Sequence, residues 1–142
     1  MERTSTGAEW FLDTSYALAL ASRSDHAHER ALELTERIRA EEVRMLTTRG
    51  VLVEIGNALA RLRHRPAALS LLRALEGDPR VKIVPLEEEL YHSAFELYAS
   101  RPDKEWGLTD CLSFVVMQRY GVTEALTADH HFEQAGFRAL LR

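Results

Sequence analysis

Trp10-Phe11-Leu12-Asp13-Thr14-Ser15 is the stretch whose reading decides the fold. Three apolar residues in a row, halted by an acid and two hydroxyl residues, suit a short strand buried on both faces. Such strands belong to parallel sheets covered by helices, so the rest of the chain is read for alternation of the two element types.

That alternation is present. Ala27, Ala31, Leu34 and Ile38 recur at helical spacing over 25–42, with Ser24 or Asp25 available as N-cap. Residues 43–48 read as a second strand. It runs into a helix over 51–62 with an apolar stripe of Leu52, Ile55, Leu59 and Leu62. Pro66 opens another helix through Leu69, Leu72 and Leu75, which stops near Gly77-Asp78-Pro79. Residues 81–84 form a third strand and 87–100 a helix with Leu90, Ala94, Leu97 and Tyr98 inward. After a loop over 101–107, residues 108–120 are helical and Gly121 ends them. Residues 125–128 make a fourth strand, and 137–141 an edge strand. The expected fold class is α/β: three layers, α/β/α, around a mainly parallel sheet of about four to five strands. The polar, aperiodic residues 1–9 read as a loose leader and residues 10–142 as a single domain.

Composition narrows the function classes. A chain of 142 residues buries a core without staples. Its single cysteine forbids an internal disulfide. A net charge of −4 argues against a duplex-DNA binder, which usually carries a basic face. No apolar run is long enough for a bilayer, and the first residues lack the pattern of a secretion signal, so a cytoplasmic protein is expected.

The acids then fall at particular places on this map. Asp13 ends strand one and Asp129 ends strand four, where open parallel sheets bind ligands. Glu54 lies early in the helix after strand two. Asn57 and Arg61 follow it at i+3 and i+7, off the apolar stripe, as a polar row that either borders the same crevice or is simply exposed. Asp110 lies in the first turn of its helix, where the helix dipole alone would favour an acid. Four converging carboxylates repel, and some would hold protons. A divalent cation removes the conflict and can orient a water against a phosphodiester. The alternative for each acid is local: a cap, a turn or a solvated helix face. Thr14 and Ser15 offer hydroxyls that either hold a carboxylate or phosphate, or simply cap.

The local wording favours the chemical reading. Phe11-Leu12-Asp13-Thr14-Ser15 resembles the opening strand of the PIN-domain nucleases, and Val51-Leu52-Val53-Glu54-Ile55-Gly56-Asn57-Ala58-Leu59 resembles their second acidic motif. Trp106-Gly107-Leu108-Thr109-Asp110-Cys111-Leu112-Ser113-Phe114 resembles the third. Ala125-Leu126-Thr127-Ala128-Asp129-His130-His131-Phe132 resembles the fourth, continued by Ala135-Gly136-Phe137. Each motif is weak alone; four in order and in register, from Trp10 onward, are specific. The subgroup most similar is the VapC-like toxins of prokaryotic type II toxin–antitoxin pairs. The resemblance implies an endoribonuclease dependent on Mg²⁺, or Mn²⁺ as substitute. Asp13, Glu54, Asp110 and Asp129 are then catalytic, and Asp13, Asp110 and Asp129 hold the metal. It also implies an RNA substrate, a small antitoxin as inhibitory partner, and a homodimer.

Other residues receive plainer readings. Trp106 is expected to pack its loop down, and Asp103 to lie on the surface. Cys111 reads as a buried, inert thiol, and His130 and His131 as solvent-facing. No spacing of histidines or cysteines suggests zinc. Arg61, Arg63, His64 and Arg65 form one local basic cluster. The leucine-rich helices between Leu52 and Leu75 are the expected dimer interface. A catalytically silent module that binds an antitoxin or another protein is the competing reading. An aspartyl phosphatase would need an acid where Ser15 stands, and a phospho-accepting receiver would need an aspartate after strand three, where Val84-Pro85 offers none.

Overall fold

The computed structural model describes residues 7–142. Of the expected leader, residues 1–6 lie outside the described residues, while Glu9 already belongs to the first strand.

The element order is β1 (Glu9–Leu12), α1 (Thr14–Ala21), α2 (His28–Glu41), β2 (Arg44–Thr48), α3 (Arg49–Ala58), α4 (Arg65–Gly77), β3 (Val81–Val84), α5 (Glu88–Ser100), α6 (Leu108–Tyr120), β4 (Glu124–Leu126), α7 (His130–Gln134) and β5 (Arg138–Ala139). The five strands form one sheet in the order β3-β2-β1-β4-β5, every pairing parallel. β1 is central: Phe11 pairs with Leu46 of β2 and with Ala125 of β4.

Consecutive strand residues point to opposite faces of a sheet. Trp10, Phe11 and Leu12 are all buried, so both faces are covered, as the opening stretch predicts. On one face Phe11 meets Phe132 of α7, and Phe132 packs edge-on against Phe114 of α6 with centroids 5.0 Å apart. On the other, the Arg37 guanidinium of α2 lies 5.1 Å from the Trp10 ring centre. The result is the expected three-layer α/β/α arrangement.

The chain builds outward from β1 to β2 and β3, then returns to the other side of β1 for β4 and β5. The order of strands therefore reverses between β1 and β4. A crevice opens at such a switch point beyond the carboxyl ends of the strands.

Several sequence expectations need correction. The segment Thr14–Ala21 is helical although no periodicity marks it; it is apolar nearly all round, with Tyr16, Ala17 and Ala19 buried, so no stripe stands out. α7 has five residues, too few to show a period. The helix expected over 51–62 ends at Ala58, and the Ala60 carbonyl instead accepts two bonds from the Arg65 guanidinium at the start of α4. Leu62, placed on the inward stripe, is consequently 86% exposed; Tyr98, expected inward on α5, is likewise exposed, at 48%, while Leu90 and Ala94 are buried. Finally β4 stops at Leu126, because Thr127 and Ala128 turn away to bond the residues that follow β1.

Candidate active site

β1 hands the chain to α1 through Asp13, which is both the N-cap of α1 and the most buried acid of the crevice, at 6% exposure. Its Oδ2 accepts hydrogen bonds from Thr127 Oγ1 at 2.8 Å, Ser15 Oγ at 3.1 Å and the Ser15 amide at 3.4 Å. The two hydroxyls are engaged from the other side as well. Ser15 Oγ accepts from the Ala128 amide at 2.9 Å, and Thr127 Oγ1 from the Asp129 amide at 3.0 Å. A small network thus joins the end of β1 to the end of β4 and fixes the turn that carries Asp129.

Burial raises the Asp13 carboxyl to a pKa of about 6; the Thr127 hydroxyl opposes the rise and the charge of Asp110 adds to it. Asp110 is shifted upward too, again mainly by burial. The Gly107 amide opposes that shift, Asp129 and Glu54 reinforce it, and His131 works against it. The Gly107 amide donates to Asp110 Oδ2 at 3.0 Å, so the loop before α6 holds this acid in place.

Glu54 projects from α3, which starts where Thr48 caps it by accepting from the Val51 amide at 3.1 Å. Thr14 Oγ1 donates to Glu54 Oε1 at 2.7 Å and ties α3 to α1. Asp129 is the N-cap of α7 and accepts from the His131 amide at 2.9 Å. All four acids, with Thr14, Ser15 and His131, line one cavity of about 400 Å³. A larger cleft of about 610 Å³, lined among others by Tyr98, Lys104, Trp106 and Gly107, holds none of these acids.

Asn57 and Arg61 are not brought into this cavity. Both are exposed, and because α3 ends at Ala58 the polar row that would have continued from Glu54 to Arg61 is broken. His131 contradicts its expected place: its side chain is 19% exposed and turns inward, with Nδ1 3.5 Å from Asp110 Oδ2 and 3.2 Å from Asp129 Oδ1. His130 stays exposed as expected. Thr127 was not singled out; a hydroxyl two residues before an acid is a faint signal, and only the parallel pairing of β1 with β4 brings it to Asp13.

The plainer readings of Trp106, Asp103 and Cys111 hold. Trp106 is buried edge-on against Phe114, with its Nε1 donating to Gln134 Oε1 at 3.0 Å. Asp103 is paired on the surface by the Arg101 guanidinium. Burial pushes the Cys111 thiol up to about 11, with the Asp110 charge adding to the shift, as suits an inert group.

The donor set fits a divalent cation. Among the described residues no lysine or arginine forms an ion pair with any of the four acids; only histidines approach them. Two of the carboxylates are poorly stabilised as anions in this arrangement, and hard oxygen donors are what Mg²⁺ and Mn²⁺ accept. No helix among the described residues is long and apolar enough to cross a membrane.

Known proteins share the sequence pattern and the fold. The chain is 29% identical over 128 residues to the 23S rRNA-specific endonuclease VapC20 of Mycobacterium tuberculosis, covering 89% of this chain and 94% of that protein. The crystal structure of that Sarcin-Ricin loop cleaving toxin superposes with a TM-score of 0.77 over 89% of this chain and 95% of the other, at 28% identity. The fold is shared with VapBC2 of Rickettsia felis, solved bound to a promoter DNA fragment (TM-score 0.66, 14% identity, 92% of this chain and 96% of that one). It is shared too with FitAcB of Neisseria gonorrhoeae (TM-score 0.60, 21% identity, 91% and 94%). The family model for the PIN domain matches residues 10–138, and this chain belongs to that family.

Proposed function

We propose that this chain is a divalent-metal-dependent endoribonuclease and the toxin of a toxin–antitoxin pair. The observation that carries the proposal is the convergence of Asp13, Glu54, Asp110 and Asp129, from four separate parts of the fold, on one cavity where no lysine or arginine among the described residues pairs with them. The likeness to VapC20, an endonuclease acting on 23S rRNA, supports it and makes ribosomal RNA the substrate class to test first.

Asp13, Asp110 and Asp129 are assigned to hold the ion. When bound, Mg²⁺ or Mn²⁺ supplies charge neutralisation at the phosphate and a more acidic water. Glu54, oriented by Thr14, is assigned to position the attacking water and to take its proton. The water oxygen attacks phosphorus, the P–O bond to one ribose breaks, and the departing oxygen takes a proton from solvent. The Ser15–Thr127 network keeps Asp13 in place throughout.

The partners follow from the same reading. A small antitoxin is proposed as inhibitor in the cytoplasm, in keeping with the shared fold of VapBC2. A homodimer is proposed across α3 and α4. There Val53 and Leu69 are exposed, whereas Leu52 and Leu75 belong to the chain's own core and are unavailable.

The decisive experiment maps new 5′ ends in total RNA after incubation with pure protein, with Mg²⁺ or Mn²⁺ and with chelator, beside Asp110→Asn. Metal-dependent ends that fall by about 100-fold or more in the variant are expected, since the lost ligand takes several kcal/mol of transition-state stabilisation with it. Absence of new ends from folded, antitoxin-free protein would overturn the proposal.

A further inference from the structure

We propose that His131 is a nitrogen ligand of the ion in this site, and that the site therefore prefers Mn²⁺ to Mg²⁺. The inference rests on the ion-binding role just proposed for the carboxylates.

The starting point is a polar atom without a partner. His131 Nδ1 is completely buried and makes no hydrogen bond among the described residues. Buried imidazole nitrogens are nearly always satisfied, so an orphan needs a reason. The neighbours are close: Asp129 Oδ1 at 3.2 Å and Asp110 Oδ2 at 3.5 Å. Neither contact has the geometry of a hydrogen bond, so the ring is directed at neither oxygen.

Atoms that share one ion sit in this way. Two ligands about 2.1 Å from a metal and at right angles to each other lie about 3 Å apart, each aimed at the ion and not at its neighbour. The ring is also held there. The His131 amide is bonded to Asp129 Oδ1 at 2.9 Å, the His130 ring lies 4.4 Å away, and the next residue, Phe132, is fully buried. The carboxylate oxygen and the ring nitrogen are thus fixed by one turn of chain.

The chemical consequence is selectivity. Mg²⁺ takes oxygen donors and keeps its waters, whereas imidazole suits the transition metals. A nitrogen added to a carboxylate set shifts preference away from Mg²⁺. The contrary reading is that His131 serves only as a countercharge to Asp110 and Asp129.

Pulsed EPR of the full chain loaded with Mn²⁺ separates the two, because a directly bound imidazole imposes ¹⁴N modulation on the electron spin echo. Modulation is expected in the unaltered protein and in His130→Gln, and its loss in His131→Gln. Calorimetry is expected to show Mn²⁺ affinity falling about 10–100-fold in His131→Gln, with Mg²⁺ affinity unchanged within about threefold. Mn²⁺ bound without ¹⁴N modulation, or modulation that survives His131→Gln or vanishes in His130→Gln, overturns the assignment and leaves the carboxylate site standing. Failure of the unaltered protein to bind Mn²⁺ at all overturns both.

Discussion

At the scale of single residues, the site is built against stability. Asp13 is raised from its ordinary value of 3.8 to about 6, chiefly by burial. A carboxyl raised in the folded state contributes most below its unfolded pKa and loses that contribution as pH climbs through the folded value. Metal-free protein should therefore lose stability between about pH 4 and 6 from this group, by an amount on the order of 3 kcal/mol. Urea midpoints in chelator across that range check it: the decline should be smaller in Asp13→Asn, which should also be the more stable protein at neutral pH while cleaving no RNA. A steeper decline in the variant would contradict the burial account. The same shift makes ion binding proton-linked, with affinity rising through about pH 6. That the four acids share one crevice was foreseeable: Asp13, Asp110 and Asp129 each follow a strand or open a helix, Glu54 lies in the helix after β2, and all four stand in a recurring local wording. His131 was not, since nothing in the dipeptide His130-His131 says which ring turns inward. The short α7, anchored by Phe132, decides that.

At the scale of elements, the helix that starts at Leu108 matters for more than its own packing. Its first turn carries Asp110, and the loop before it is pinned by Trp106 against Phe114 and Gln134. Trp106→Ala should cost about 3–5 kcal/mol, as large-to-small changes of buried aromatics do. Because the Gly107 amide that orients Asp110 moves with the loop, the folded fraction should also bind Mn²⁺ more weakly. Trp106→Phe should recover most of both losses. A variant of unchanged metal affinity would show that the loop does not position the acid. Elements with a one-sided stripe, such as α2, were readable from periodicity. α1 was hidden by being apolar all round, and the end of α3 was set by a contact from α4 that no local pattern announces.

At the scale of the whole molecule, the proposed dimer makes a separate claim. Leu69 is 47% exposed on α4. Leu69→Asp should give a folded protein sedimenting at half the mass of the unaltered dimer, while an unchanged mass would move the interface elsewhere. The α/β class and the parallel sheet were foreseeable from the alternation of elements. The order of strands was not, because nothing local states that β4 returns beside β1. That return has a consequence for synthesis. Asp13 is made well before the groups it meets in the fold: Asp110, Thr127 and Asp129 follow it by 97, 114 and 116 positions. Residues emerge one after another at about 5–20 per second. The nascent chain therefore carries the Asp13 carboxyl without those neighbours for a time on the order of 10 s, until α6 and the turn after β4 have been made, so the acid cluster is completed late in synthesis.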